Sequence, residues 1–207
     1  MRSRALLIAP VVGVLVLLGL ASAVLLRGGE AKRSDYRGSP PPPGIRLPEF
    51  ELRSYTGRLV ARDDLEDKVV VVTFLETNCR EACPIIAGEI ARTVDRLTAA
   101  ERERSAFLAI STHPVDDTTA SVRAFLRKHH AERKLDYLIG TEQELRPVWE
   151  RFKILSALDS GDADTHSASV RVFDRTGVWV ATLHAGVDLA PANLAHDVAT
   201  ALATGRG

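Results

Sequence analysis

Val69-Val70-Val71-Val72-Thr73-Phe74-Leu75, followed one residue later by Thr77-Asn78-Cys79-Arg80-Glu81-Ala82-Cys83-Pro84, is the stretch on which the fold turns. Its first part is an unbroken, mostly β-branched apolar run, the pattern of a strand covered on both faces. Ile86, Ile90, Val94 and Leu97 then recur at the spacing of one helical face. A buried strand, a turn carrying both cysteines and an amphipathic helix therefore succeed one another. Ligands in open α/β sheets bind at the carboxyl ends of such strands, which marks the turn as a site. A helix start offers unpaired N–H groups and a partial positive charge, so both cysteines are expected to be unusually acidic. Pro84 is tolerated there because N–H groups of the first turn have no intrahelical acceptor.

Towards the N-terminus, Phe50-Glu51-Leu52 and Arg58-Leu59-Val60 flank Thr56-Gly57 and predict a short hairpin. Towards the C-terminus, residues 106–111 read as a second buried strand, forming a right-handed βαβ unit with the first. Val122, Phe125, Leu126 and His129 share one face of a helix entered near Asp117-Thr118. His129 and His130 close it, where imidazolium meets the negative end of the helix dipole. Thr141-Glu142-Gln143-Glu144 has the form of a capping box and opens a helix that turns Leu145, Val148 and Trp149 inward. Residues 169–174 and 178–183 read as a hairpin across Arg175-Thr176-Gly177, and Pro191 starts a closing helix with Leu194, Val198 and Leu202 on one stripe. Trp149 and Trp179 are read as core. The order ββ-βα-βα-α-ββ-α predicts an α/β fold, a thioredoxin-like three-layer sandwich with an N-terminal β-hairpin, over residues 49–204.

Lys plus Arg number 27 and Asp plus Glu 27 in a chain of 207 residues, so no net field draws in nucleic acid, which is not expected as a partner. The two cysteines are too few for a disulfide scaffold but suit one local redox or metal site. At i and i+4 their sulfurs can face one side, close enough for a disulfide or for one shared metal ion. Two thiolates leave a metal under-coordinated, so a third ligand is expected from elsewhere. His166 is the candidate, in the polar stretch Ser160-Gly161-Asp162-Ala163-Asp164-Thr165-His166-Ser167 just ahead of a core strand. Two thiolates and one imidazole make a soft site suited to copper. The single methionine is Met1, which excludes a methionine-rich copper-uptake arm, and no metal role is read for His184 or His196.

Residues 1–4 form a short tail, and residues 5–26, ALLIAPVVGVLVLLGLASAVLL, carry no charge over a length sufficient to cross a bilayer. A transmembrane anchor is expected. The competing reading is a cleaved secretory signal, with Arg2 and Arg4 as its basic start and Ala21-Ser22-Ala23 as a small-residue cleavage site. Either exports the remainder and places the soluble domain on the extracytoplasmic side. Residues 27–48, with the run Pro40-Pro41-Pro42-Pro43, read as a stiff linker.

Taken together, several ordered blocks resemble the Sco/SenC family of copper-binding, thioredoxin-like cytochrome c oxidase assembly proteins. They are Lys68-Val69-Val70-Val71-Val72-Thr73-Phe74 leading to Cys79-x-x-x-Cys83-Pro84; Ser111-Thr112-His113-Pro114-Val115-Asp116-Asp117-Thr118; Leu138-Ile139-Gly140-Thr141; and His166-Ser167 before the strand ending at Asp174-Arg175-Thr176-Gly177. The resemblance implies Cys79, Cys83 and His166 as ligands of one copper ion, Cu(I) or Cu(II), with the cysteines also able to form a redox-active disulfide. It implies delivery of copper to the binuclear centre on a cytochrome oxidase subunit, or reduction of that client's cysteines. An upstream copper donor or a thioredoxin-like reductant is the corresponding supplier. The chain departs from the family's pattern in three places. Arg80 stands where proline is frequent, Thr165 separates Asp164 from His166, and His113 replaces an aspartate. His113 ends the strand beside the cysteine-bearing one and is a candidate accessory ligand.

Two competing functions use the cysteines without a resident metal. A general thiol-disulfide oxidoreductase is disfavoured by the C-x-x-x-C spacing and by the lack of a proline before the Ser169 strand. A thiol peroxidase would use a thiolate at a helix start but leaves His166 unexplained.

Overall fold

The computed structural model of the protein describes residues 35–154 and 169–204. The expected membrane span, its alternative reading as a signal, and His166 all lie outside the described residues. No helix among the described residues is long and apolar enough to cross a membrane.

Seven strands form one sheet. The central β3 (Val69–Leu75) is buried at all seven positions, as its unbroken apolar run requires. It pairs in parallel with β4 (Ser105–Ser111), which pairs in parallel with β5 (Asp136–Ile139). On its other side β3 pairs antiparallel with β6 (Ser169–Phe173), and β6 with β7 (Trp179–His184). The predicted N-terminal hairpin, β1 (Glu51–Ser54) and β2 (Leu59–Ala61), joins the sheet through β1 and β5, giving the order β2-β1-β5-β4-β3-β6-β7.

Side chains of β3 alternate between two separate hydrophobic clusters, as the period of two demands. Val69, Val71 and Leu75 pack with the apolar stripes of α1 (Ala82–Arg96), α3 (Thr119–Lys128) and α5 (Pro191–Thr204). Val70, Val72 and Phe74 pack with Leu145, Val148, Trp149 and Phe152 of α4 (Glu142–Phe152) and with Leu52 and Val60 of the hairpin. Helices thus cover both faces of the sheet in three layers. Burying each of these valines contributes on the order of 1.5–3 kcal/mol.

The helix boundaries follow local chemistry. Thr118 caps α3 by accepting from the Ser121 N–H at 3.2 Å. The predicted box at Thr141 forms in full, with Thr141 Oγ1 accepting from the Glu144 N–H at 3.3 Å and the Glu144 carboxylate accepting from the Thr141 N–H at 2.7 Å. A second box, Thr98 with Glu101, opens the short α2 (Ala99–Glu103), which the apolar pattern did not reveal. Trp149 is core, as expected, and its Nε1 donates to the Ser111 carbonyl at 2.8 Å, fixing α4 to the end of β4. Trp179 is only partly buried and carries the Arg171 guanidinium 4.5 Å over its ring.

Residues 35–47 are hydrogen-bonded to the domain along the outer edge of β7. Ser39 bridges Thr182, Arg46 bridges Val178, and the buried Asp197 of α5 accepts the Arg37 and Gly38 N–H groups at 2.7 and 2.9 Å.

Candidate metal centre

The register of the sheet decides where the chemistry lies. Leu75, the last residue of β3, is level with Ser111, the last of β4, and Ser169 at the start of β6 is level with His184 at the end of β7. The cysteine turn, the loop through His113, the loop after β7 and the entry to β6 therefore emerge along one rim.

Cys79 and Cys83 meet there as two reduced, buried thiols, 5% and 3% exposed. Helix α1 has no side-chain cap of the usual kind: Glu81 stands at its N-cap and makes no capping bond. Instead the N–H of Cys83, one of the orphan donors of the first turn, donates to Cys79 Sγ at 3.3 Å. The sulfur of Cys79 occupies the place of the capping oxygen, where N–H dipoles favour negative charge.

The two thiols are not equivalent. The expectation that both are unusually acidic fails for Cys83. Its hydrogen bond with the Cys79 side chain, followed by burial, pushes it far above the ordinary thiol range. The physical reason is that one proton shared between adjacent sulfurs is held more tightly than a proton on either alone. A metal ion bound at both sulfurs would displace that proton, so binding here is coupled to proton release.

The turn is held from beneath. Asp117, 2% exposed, accepts the Thr77 N–H at 2.8 Å, the Ser111 hydroxyl at 2.6 Å and the Tyr137 hydroxyl at 2.9 Å. Asp116 accepts Asn78 Nδ2 at 2.7 Å. Both residues that precede Cys79 are thus fastened to the loop after β4. Glu76, 2% exposed at the end of β3, is raised to about 7, first by burial and then by the neighbouring Asp117, Cys79 and Asp116, with His113 opposing. Sequence reasoning passed over Glu76, since one acid after an apolar run looks like the first solvated loop residue.

His113 turns its Nδ1 to within 3.3 Å of Asp116 Oδ2, although the two are not aligned for a hydrogen bond. Among the described residues no three His, Cys, Asp or Glu side chains converge as a metal site. The two sulfurs are the donors that the described residues bring together, and they are soft donors of the kind copper prefers. The third ligand expected from the sequence, His166, lies outside the described residues. His129, expected as a charged imidazolium, is instead lowered, first by burial and then by Lys128 and His130; its ring lies 4.7 Å from that of Phe125. His196 contacts the Asp35 carbonyl at 2.9 Å, and His184 Nδ1 lies 3.8 Å from Asp188.

Comparison with known proteins agrees with this architecture. A SCO2-like protein of Rickettsia felis is 26% identical over 139 residues, a match spanning 64% of this chain and 66% of that relative's own length. The structure of Bradyrhizobium japonicum ScoI with copper bound superposes with a TM-score of 0.60 at 22% identity, covering 75% of this chain and 98% of that one. BsSco, described as a member of the Sco family of cytochrome c oxidase assembly proteins with a disulfide switch, superposes with a TM-score of 0.65 at 21% identity, covering 80% and 98%. These likenesses establish the thioredoxin-like fold. The family model SCO1/SenC matches residues 41–203, a span that includes both cysteines, and the chain belongs to that family.

Proposed function

We propose that the protein binds one copper ion through Cys79, Cys83 and His166 and supports assembly of the binuclear copper centre of a respiratory cytochrome oxidase. The observation that carries this reading is the buried pair of reduced sulfurs at the start of α1, linked by the 3.3 Å bond from the Cys83 N–H to Cys79 Sγ. When bound, copper supplies a soft, redox-capable centre. The chain's own residues supply the rest. Asp117 and Asp116 hold Thr77 and Asn78, so the sulfur of Cys79 is positioned before any ion arrives. Burial limits access of water and other thiols to the pair. The copper-bound state of the similar ScoI and the family's model support the assignment.

Copper titration of the reduced full-length chain tests it. One equivalent is expected to bind, with binding abolished by Cys79→Ser or Cys83→Ser and weakened by His166→Ala. Full binding in the Cys79→Ser and Cys83→Ser variants would end the proposal.

A second reading is favoured by the inequality of the two thiols: one proton-holding and one capped by N–H is the arrangement of a dithiol reductant. On that reading the pair reduces the cysteines of the client's copper site. Rapid oxidation of the pair by a client disulfide, with no copper retained, would decide for it. Residues 5–26 are proposed to tether the domain to the membrane, with the site on the extracytoplasmic side.

A further inference from the structure

Beside the cysteine turn runs an open groove of about 800 Å³ between that turn and α3. Cys79 lines it and Cys83 does not, so of the pair Cys79 is the one that borders this groove. Arg80 and Lys128 flank it, with Ser121, Phe125 and His129 along the α3 wall. No Asp or Glu lines it. Both cations are exposed, and among the described residues neither is engaged in an ion pair. Asp116, in the loop opposite, is occupied by Asn78. The whole chain is charge-neutral, 27 against 27, so this one-signed groove is a local feature and not a sample of a basic surface.

We infer that this groove docks an acidic segment of a partner polypeptide, guided by Arg80 and Lys128, and so presents the partner's sulfur to Cys79. The inference rests on the reading that the cysteine pair exchanges with a client, and it names how that client is recognised. Unpaired cations at a cleft steer an anionic partner, raising its association rate in a way that salt abolishes. In the exchange itself, the Cys79 thiolate attacks one sulfur of a partner disulfide, forming a mixed disulfide and expelling the other partner sulfur as a thiolate. Cys83, giving its proton to solvent, then attacks Cys79 Sγ and releases the second partner thiolate. The partner disulfide gains two electrons and the Cys79–Cys83 pair loses them.

Small disulfides of opposite charge test the groove without knowledge of the client. The reduced full-length chain is mixed with oxidised glutathione, which is anionic, or with cystamine, which is cationic, and loss of thiols is followed at low and high salt. Rates are divided by those for dithiothreitol, a neutral thiol, to remove intrinsic differences between the two disulfides. The anionic disulfide is expected to be preferred by roughly tenfold at low salt. The preference is expected to fall towards one at high salt, and to be lost or reversed in Lys128→Glu and in Arg80→Glu, while Arg123→Glu, outside the groove, leaves it unchanged. A normalised ratio of one at low salt, a ratio unmoved by either substitution, or no reaction with either disulfide would overturn the proposal. Copper titration of the same proteins separates the two levels. Intact copper binding with no charge preference rejects the groove alone, and absent copper binding with the preference intact rejects the metal reading alone.

Discussion

Asp117 and Asp197 are both buried, and both accept backbone N–H groups from another part of the chain, yet they hold very different things. Asp117 fastens the cysteine turn and takes two further hydroxyls, from Ser111 on β4 and Tyr137 on β5. Asp197 fastens residues 35–47, a strap along the edge of β7, at Arg37 and Gly38 and takes no hydroxyl. Asp117 ties the turn to the middle of the sheet, whereas Asp197 ties the strap, which also lies along the edge strand β7, to one helix. A carboxylate can pin any loop, but it transmits rigidity only where its other oxygens are pinned in turn.

The largest effect expected from this difference is at Asp117. Asp117→Ala leaves the Thr77 N–H and two hydroxyls buried without an acceptor, at a cost of about 3–5 kcal/mol. Urea unfolding should show it, and copper affinity should fall in the fraction that remains folded. A loss below about 1 kcal/mol would place the rigidity of the turn elsewhere. Asp197→Ala should cost less, about 1–3 kcal/mol, because it strands two N–H groups, one of them only part-buried, and no hydroxyl. Hydrogen exchange should then rise at residues 36–39 while the cysteine turn stays protected; faster exchange at Thr77 would break the contrast. Gly38→Ala attacks the strap from its own side, since an added Cβ would lie 2.8 Å from the Thr182 carbonyl. Its cost should match or fall below that of Asp197→Ala.

The next expectation concerns pH. Burial is the largest influence on both aspartates and raises each above its ordinary value, as it raises Glu76 to about 7. A carboxyl raised in the folded state binds its proton more tightly there than when unfolded, so its contribution is greatest below the unfolded value and is lost as pH climbs through the folded one. For Glu76 the window runs from 4.5 to about 7. Across it, the apo wild type should lose stability relative to Glu76→Gln, and the difference should level off above. A difference that instead grows in favour of the wild type with rising pH would mean that Glu76 is held ionised. The smallest effect is expected for Tyr36→Phe, which removes one exposed hydrogen bond to Thr204, 3.2 Å long, for about 0.5 kcal/mol by urea unfolding.

What could be read from the sequence follows the same division. The β3 run, the α1 stripe and the cysteine turn between them were legible because burial on two faces and a helical period leave continuous marks over many residues. The box at Thr141 was legible from residue types alone. Strand β5 was not. Its four residues alternate too briefly to register, and it opens on Asp136, which pairs with Arg58 from the hairpin. The hydrogen-bonded strap was invisible for another reason. A proline-rich stretch reads as linker whether or not a distant aspartate waits for its N–H groups, and Asp197 itself lies in a helix that looks complete without it. At the site, the cysteines announced themselves through spacing, whereas Glu76 and the support from Asp117 depend on contacts across 40 residues and leave no local trace.

The strap has one more effect, on how copies of the protein meet. Strand β7 ends the sheet, and a bare terminal strand is a template for a neighbouring chain. Ser39 and Arg46 occupy it near either end, and the four consecutive prolines between them have no N–H to offer an incoming strand. The strap thereby guards this edge of the sheet against pairing with a neighbouring chain, and releasing it would expose a surface prone to self-association.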